Sequence, residues 1–107
     1  MRSGEDFRVT VRRGVKAVRP TLVTHVVLPS GSHAGATSVG FVVSRSVGSA
    51  VDRNRVKRRL RHLMRTRMSD VPAGSRIVIR ALPSAKDATS ASLADDLDEA
   101  LQRAGAR

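Results

Sequence analysis

Residues 40–61, GFVVSRSVGSAVDRNRVKRRLR, combine a strand-like pattern and a helix-like pattern in one continuous stretch. The first part belongs to an alternating, β-branched run that predicts a strand over Val39–Ser44. In the second part apolar residues recur every three or four positions, which predicts an amphipathic helix from Ser49 to about Met68. The stripe that such a helix buries consists of Val56, Leu60, Leu63, Met64 and Met68.

The start of this helix carries its own signal. Ser49 and Asp52 have the spacing of a capping box, although aspartate stands where glutamate or glutamine is usual. Two interpretations of Gly48 stay open. Either the free N–H groups at this helix terminus bind a phosphate, or Gly48 only makes the turn that leads into the helix.

The elements on either side complete a small α+β domain. A strand over Thr21–Leu28 is expected to form a hairpin with Val39–Ser44 across the turn-rich residues 29–37. The order of elements predicts a two-layer sandwich in which helices pack on a small mixed sheet. We expect one domain over residues 1–107, with residues 1–2 and 105–107 flexible. The remaining elements are a helix over Ser3–Arg13 capped by Ser3, a strand over Arg76–Leu82, and a helix from Ser90 or Ser92 to Ala104.

The composition excludes several classes of protein. The chain has 107 residues, no cysteine, and only two aromatic residues, both phenylalanine. A disulfide scaffold, a thiolate metal site, a cysteine nucleophile and a broad base-stacking platform are therefore excluded. The sequence has no apolar run of about 18 residues, so no membrane span is expected, and residues 1–7 do not resemble a signal peptide. With neither a membrane span nor a signal peptide expected, we expect a cytoplasmic domain. Because its net charge is +11, we expect it to bind a polyanion.

The positive charge is concentrated on the predicted helix after Gly48. Six of the nine residues from Arg53 to Arg61 are basic. Like charges this close repel, and a polyphosphate relieves the repulsion as it releases its counterions. Most of the bases are arginine, which favours bidentate phosphate contacts, so we predict nucleic-acid binding rather than a merely solvated helix. The side chains expected to project away from the apolar stripe are Arg55, Arg58, Arg61, His62 and Arg65.

Catalytic machinery made of protein side chains is not expected. The three histidines lack the spacing of metal ligands, and the serines lie in no nucleophile elbow with a credible base. We therefore expect no catalytic residue, no metal bound by the protein alone and no small-molecule substrate. Four acids on the last predicted helix are interpreted as its solvated face: Asp95, Asp96, Asp98 and Glu99. The histidines are His25, His33 and His62.

The central stretch resembles the signature of the bacterial ribonuclease P protein subunit. The resemblance is carried by Arg53-Asn54-Arg55 followed by Lys57-Arg58-Arg59, and it extends from about Met1 to Leu101. It implies an αβββαβα sandwich with a left-handed βαβ crossover. It also implies a protein that assists a catalytic RNA, the ribonuclease P RNA, in hydrolysing one phosphodiester bond of precursor tRNA. The reaction releases the 5′ leader and leaves a 5′-phosphate, with Mg²⁺ held by RNA.

The same resemblance implies roles for individual residues. Phe7, Val11 and His25 match a cleft for the single-stranded leader, where the family often has aromatic residues at the last two positions. Stacking on the leader should therefore be weaker in this chain. For Phe7 and His25 a half-buried structural role stays open as the alternative. The residues implied to contact RNA are Arg45, Arg53, Asn54, Arg55, Lys57, Arg58, Arg59, Arg61 and Arg65.

Two other functions remain open at the level of sequence. A structural ribosomal or rRNA-binding protein has the same size and charge, and the Arg53-Asn54-Arg55 motif is the feature that argues against it. A nuclease made of protein alone would cleave without any RNA subunit, and no arrangement of acids and histidines in the sequence supports it.

Overall fold

The computed structural model describes residues 4–29 and 35–106, and side chains from residue 7 onward. Ser3, predicted as a helix cap, and His33, in the predicted loop, lie outside these residues. The helices and strands are α1 (Gly4–Arg13), β1 (Val15–Val18), β2 (Leu22–Val27), β3 (Ser38–Val42), α2 (Ala50–Arg65), β4 (Arg76–Ala81) and α3 (Ser90–Arg103). Short 3₁₀ turns occupy Arg45–Val47, Met68–Asp70 and Pro83–Lys86.

The four strands form one mixed sheet in the order β1-β2-β4-β3. Strand β2 pairs antiparallel with both β1 and β4, and β3 pairs parallel with β4. The predicted hairpin between Thr21–Leu28 and Val39–Ser44 is therefore wrong, because β4 lies between these two strands. The alternation of apolar residues identifies a strand, whereas its neighbour is decided by long-range packing. Here the fully buried Ile77 and Ile79 place β4 at the centre.

Strand β1 was not predicted from periodicity. It has four residues, and only Ala17 is buried, since β1 lies at the edge of the sheet. With β1, the element order becomes the αβββαβα that the resemblance implied. The adjacent parallel strands β3 and β4 are joined through α2, so the βαβ unit is present. Its left-handed crossover stays a prediction.

The main core lies between one face of the sheet and two helices. Leu22 and Val26 of β2 and Ile77 and Ile79 of β4 belong to one cluster with α2 and α3. The predicted stripe of α2 is confirmed, because its apolar residues are buried or packed against this cluster, and α3 contributes a similar stripe. The buried stripe residues are Val56, Leu60 and Met64 of α2 with Leu93, Leu97, Leu101 and Ala104.

The opposite face of the sheet is covered in part by α1, which contacts β2 and β4. Val23, His25 and Val78 are buried on this face. Both faces of β2 are therefore protected, and its first five residues are buried without the alternation typical of a half-exposed strand.

Three of the four acids of α3 form hydrogen bonds or ion pairs with other parts of the chain. This corrects the prediction that all four form a solvated face. Asp96 is buried, and its Oδ2 accepts hydrogen bonds from the Thr21 backbone N–H at 3.0 Å and the Thr21 hydroxyl at 2.6 Å. The carboxylate of Asp98 accepts hydrogen bonds from Nε and Nη2 of Arg67 at 2.6 and 3.1 Å. Arg19 joins the network through Asp96 at 3.6 Å and Glu99 at 3.0 Å. Asp95 matches the predicted solvated face because it is exposed, and the side chain of Glu99 is 43% exposed although it forms ion pairs.

The end of α2 differs from the sequence prediction, whereas α3 ends within one residue of the predicted Ala104. Helix α2 ends at Arg65 rather than near Met68, because the Arg67 N–H turns back to the Met64 carbonyl. Helix α3 ends in a Schellman motif in which Gly105 has φ of 72°. There the Ala106 N–H donates to the Leu101 carbonyl at 2.9 Å. The flexibility of residues 105–107 stays a prediction.

Replacement of Asp96 by alanine should lower the free energy of unfolding by about 1–3 kcal/mol, because two donors on Thr21 lose their buried acceptor. Urea denaturation measures the change. Asp95→Ala is the matched control on the same helix, and it should leave stability nearly unchanged because Asp95 is exposed. Equal effects of the two substitutions would contradict the anchoring role of Asp96.

Candidate nucleic-acid interface

The N-terminus of α2 is closed by its own side chains. Ser49 Oγ accepts the Asp52 N–H at 3.2 Å, and Asp52 Oδ2 accepts the Ser49 N–H at 3.1 Å, so the predicted capping box is present. The hydrogen bonds from the Ser49 side chain and backbone lower the pKa of Asp52. A carboxylate therefore stands where a phosphate would have to bind.

Gly48 makes the turn before this cap. Its φ is 154°, and a Cβ at this position would lie 2.6 Å from Asp52 Oδ2. Of the two interpretations left open by the sequence, the structure supports the turn.

One side of α2 carries a group of basic residues that have no acidic partner among the described residues. We call Arg53, Asn54, Lys57, Arg58, Arg61 and Arg65 the basic face. Within the part of the chain that the structure describes, none of its five cations forms an ion pair. Arg58, Arg61, Arg65 and Asn54 are exposed, whereas Arg53 and Lys57 are half-buried beside Val43. Arg45 is exposed in the 3₁₀ turn that contacts α2.

Arg55 and Arg59 lie on the other side of α2 and contact the loop before α3. Arg55 Nη2 lies 3.3 Å from Asp52 Oδ1 and 3.5 Å from the Lys86 carbonyl oxygen. Arg59 Nη1 donates to the Ala88 carbonyl at 3.4 Å. Arg55, which was expected to project away from the apolar stripe, also contacts the 3₁₀ turn Pro83–Lys86 that packs beside α2. The sequence offers no signal for these long-range contacts.

The three residues of the predicted leader cleft lie on α1 and on the face of the sheet that α1 covers. Phe7 and Val11 are half-buried on α1, and His25 of β2 is 5% exposed. Neither ring nitrogen of His25 has a hydrogen-bond partner among the described residues. Burial lowers the pKa of His25, and the charges of Arg80 and Lys16 lower it further.

Sequence reasoning did not single out Lys16 or Arg80. Lys16 of β1 is the register partner of His25 of β2, and Arg80 of β4 is the register partner of Val23 of β2. Both basic residues therefore lie on the same face of the sheet as His25. Arg80 was detectable, because it alternates with the apolar residues Ile79 and Ala81 in a predicted strand. Lys16 was not detectable from the sequence, because strand β1 was not predicted. We call Phe7, Val11, Lys16, His25 and Arg80 the α1 face.

Comparison with known proteins identifies the family. The family model described as Ribonuclease P matches residues 1–105. The chain belongs to the ribonuclease P protein family. It is 55% identical to the ribonuclease P protein component of Streptomyces avermitilis, over 96% of this chain and 89% of the relative. It is 50% identical to that of Nocardioides sp., over 99% of this chain and 91% of the relative.

Two solved structures show the same fold at lower identity. The RNase P protein of Staphylococcus aureus matches with a TM-score of 0.85 at 24% identity, covering 99% of this chain and 94% of the other. The RNase P protein of Thermotoga maritima matches with a TM-score of 0.80 at 22% identity, covering 96% and 94%. The three helices and the four-stranded mixed sheet are thus those of ribonuclease P proteins.

The family assignment resolves the choice between functions. As a ribonuclease P protein, the chain is a subunit of a tRNA-processing endoribonuclease and an RNA-binding component of a ribonucleoprotein. A structural ribosomal protein is thereby rejected. In residues 4–29 and 35–106, no group of three or more His, Cys, Asp or Glu side chains is placed to hold a metal ion. Among the same residues, no helix is both long and apolar enough to cross a membrane.

The buried His25 should make the stability of this ribonuclease P protein depend on pH. The unfolded chain takes up a proton as the pH falls through about 6.5, whereas the folded chain takes it up only at a lower pH. Stability is therefore lost as the pH falls from 7.5 to 5.5, by at most about 1.4 kcal/mol per pH unit for one group.

Urea denaturation at both pH values measures this effect. His25→Gln should flatten the dependence, while His62→Gln, at an exposed position on α2, should keep it. A dependence that survives in His25→Gln would show that another group is responsible.

Proposed function

We propose that the chain binds the ribonuclease P RNA through the basic face of α2 and holds the 5′ leader of precursor tRNA on the α1 face, while the RNA carries out the hydrolysis. The observation that carries this proposal is the row of cations on α2 that have no acidic partner in the described parts of the chain, on a helix whose other side is fixed to the core.

The charges of the basic face favour a folded RNA. Arginine and lysine side chains that lack an acidic partner repel each other, and the approach of phosphates removes this repulsion while counterions are released. Three acids of α3 do not compete for these cations, because the ion pairs of Asp96, Asp98 and Glu99 are with Arg19, Arg67 and Arg103. Arg55 and Arg59 hold α2 against the loop before α3, so the basic face is preorganised.

The α1 face suits a single strand. It combines the half-buried Phe7 with the cations Lys16 and Arg80 around a histidine whose ring nitrogens lack a partner among the described residues. Proteins that bind a single strand typically combine cations, which contact the phosphate backbone, with aromatic rings, on which bases stack. This face has only one phenylalanine ring, so we expect less stacking than usual. Because α1 and α2 lie on opposite faces of the sheet, the two RNAs can be bound at the same time.

We propose that the Mg²⁺ ions are held by RNA and substrate, and that the protein acts by screening phosphate repulsion and positioning the leader. We also propose that the complex works in the cytoplasm. The hydrolysis gives a free leader and a mature tRNA with a 5′-phosphate.

Reconstitution tests the proposal. The purified chain is added to a bacterial ribonuclease P RNA at low Mg²⁺, and cleavage of precursor tRNA is followed. We expect strong stimulation, and no cleavage by the protein alone. Cleavage without the RNA subunit would indicate a protein-only nuclease, and a lack of stimulation would contradict the proposed role in the holoenzyme.

Arg58→Ala should weaken assembly with the RNA and reduce the slope of log affinity against log salt by about one unit, as expected for one lost phosphate contact. Filter binding at several salt concentrations measures the slope. Arg103→Ala is the matched control, because Arg103 is exposed on α3 and already pairs with Glu99 at 2.8 Å. Equal slopes for wild type and Arg58→Ala would remove Arg58 from the interface.

Val11→Phe should tighten binding of the leader by about 1 kcal/mol, because it adds a ring on the side of α1 that carries Phe7. The affinity for precursor tRNA with a leader is compared with that for mature tRNA, using the reconstituted complex. Only the affinity for precursor tRNA should improve. An equal change for both tRNAs, or no change, would contradict the placement of the leader on the α1 face.

A further inference from the structure

A groove of about 280 Å³ runs between β3 and α2, away from the α1 face. Its floor is apolar and contains Val39, Phe41, Met64 and Met68. Phe41 is one of two aromatic residues in the chain, and it is half-buried, so it takes part in the core but is not enclosed by it. Arg61 and Arg65 of the basic face form the rim.

The rim and the floor differ in chemistry. Arg61 and Arg65 are exposed, and neither forms an ion pair with any acid in the described ranges. Guanidinium groups of this kind recognise phosphates. The floor has a ring and two thioethers, which suit a flat, polarizable and largely apolar group. A nucleotide presents both parts, since its base can enter an apolar groove while its phosphate stays at the rim.

We propose that this groove receives one unpaired nucleotide of the ribonuclease P RNA, with its base against Phe41 and its phosphate at Arg61 and Arg65. The inference rests on the proposed function, because it names a contact within the same RNA interface. The RNA subunit is the source rather than the leader, since the rim belongs to the basic face and the α1 face lies on the other side of the sheet. The complementary charges of the rim and the phosphate carry the assignment.

Intrinsic fluorescence provides a direct test. The chain contains no tryptophan and no tyrosine, so Phe41→Trp introduces a single fluorophore in the groove. Folded ribonuclease P RNA should quench this fluorescence through stacking as it binds. The matched control is Phe7→Trp on α1, which should respond only when precursor tRNA with its leader is added. Quenching of Phe41→Trp by a leader oligonucleotide alone, but not by the RNA subunit, would overturn the assignment.

A second pair of variants covers the case in which Phe41→Trp does not fold. Met68→Gln keeps the length of a half-buried side chain in the groove while making it polar. It should weaken binding to the RNA about fivefold without changing the salt slope, because no phosphate contact is lost. Val15→Gln, at a 52% exposed apolar residue on the edge strand β1, should bind as the wild type does.

The outcomes separate this inference from the proposed function. If wild type does not bind the RNA, the proposed function fails. If wild type binds but Met68→Gln binds equally well, or bound Phe41→Trp shows no quenching, the groove is not a nucleotide site although the basic face is still an RNA interface.

Discussion

The structure depends on the docking of one highly charged helix through a narrow apolar stripe. Val56, Leu60 and Met64 are almost completely inaccessible to solvent, and they fix which side of α2 faces the sheet. Burial of such side chains contributes about 1.5–3 kcal/mol each, which exceeds the few tenths of a kcal/mol that each pair of like charges on the same helix costs. Packing therefore holds the cations in a fixed array although they repel each other.

Four acids of α2 and α3 form their ion pairs away from this array. Asp96 and Glu99 of α3 pair with Arg19, which connects α3 to the turn before β2. Asp98 pairs with Arg67 and connects α3 to the end of α2. Glu99 also pairs with Arg103 within α3. Asp52 is held in the cap of α2 and beside Arg55. The ion pairs thus stabilise the fold at the ends of elements, whereas the centre of the basic face stays available to phosphates.

The sheet separates two environments that differ in their side chains. The α2 side presents several exposed cations, as an interface with a large folded RNA requires. On the α1 side, Lys16 and Arg80 lie beside a buried histidine whose pKa is lowered by burial and by these two charges. A neutral imidazole offers one donor and one acceptor, and its hydrogen-bonding capacity is unused within the described residues. This difference supports the assignment of a folded RNA to one face and a single strand to the other.

The sequence alone determined the two long helices, the capping box at Ser49 and Asp52, three of the four strands and the excess of arginine on α2, because each depends on neighbours within a few residues. The signature of the family is local in the same way, since Arg53-Asn54-Arg55 lies within one turn of helix. Tertiary structure decided that β4 separates β2 from β3, that Asp96 is buried against Thr21, and that Arg55 and Arg59 serve as anchors. It also decided that Lys16 stands beside His25, and that Phe41 faces Arg61 and Arg65 across a groove. These contacts join residues 9 to 75 positions apart, and they exist only after the sheet has formed, so no short-range pattern encodes them.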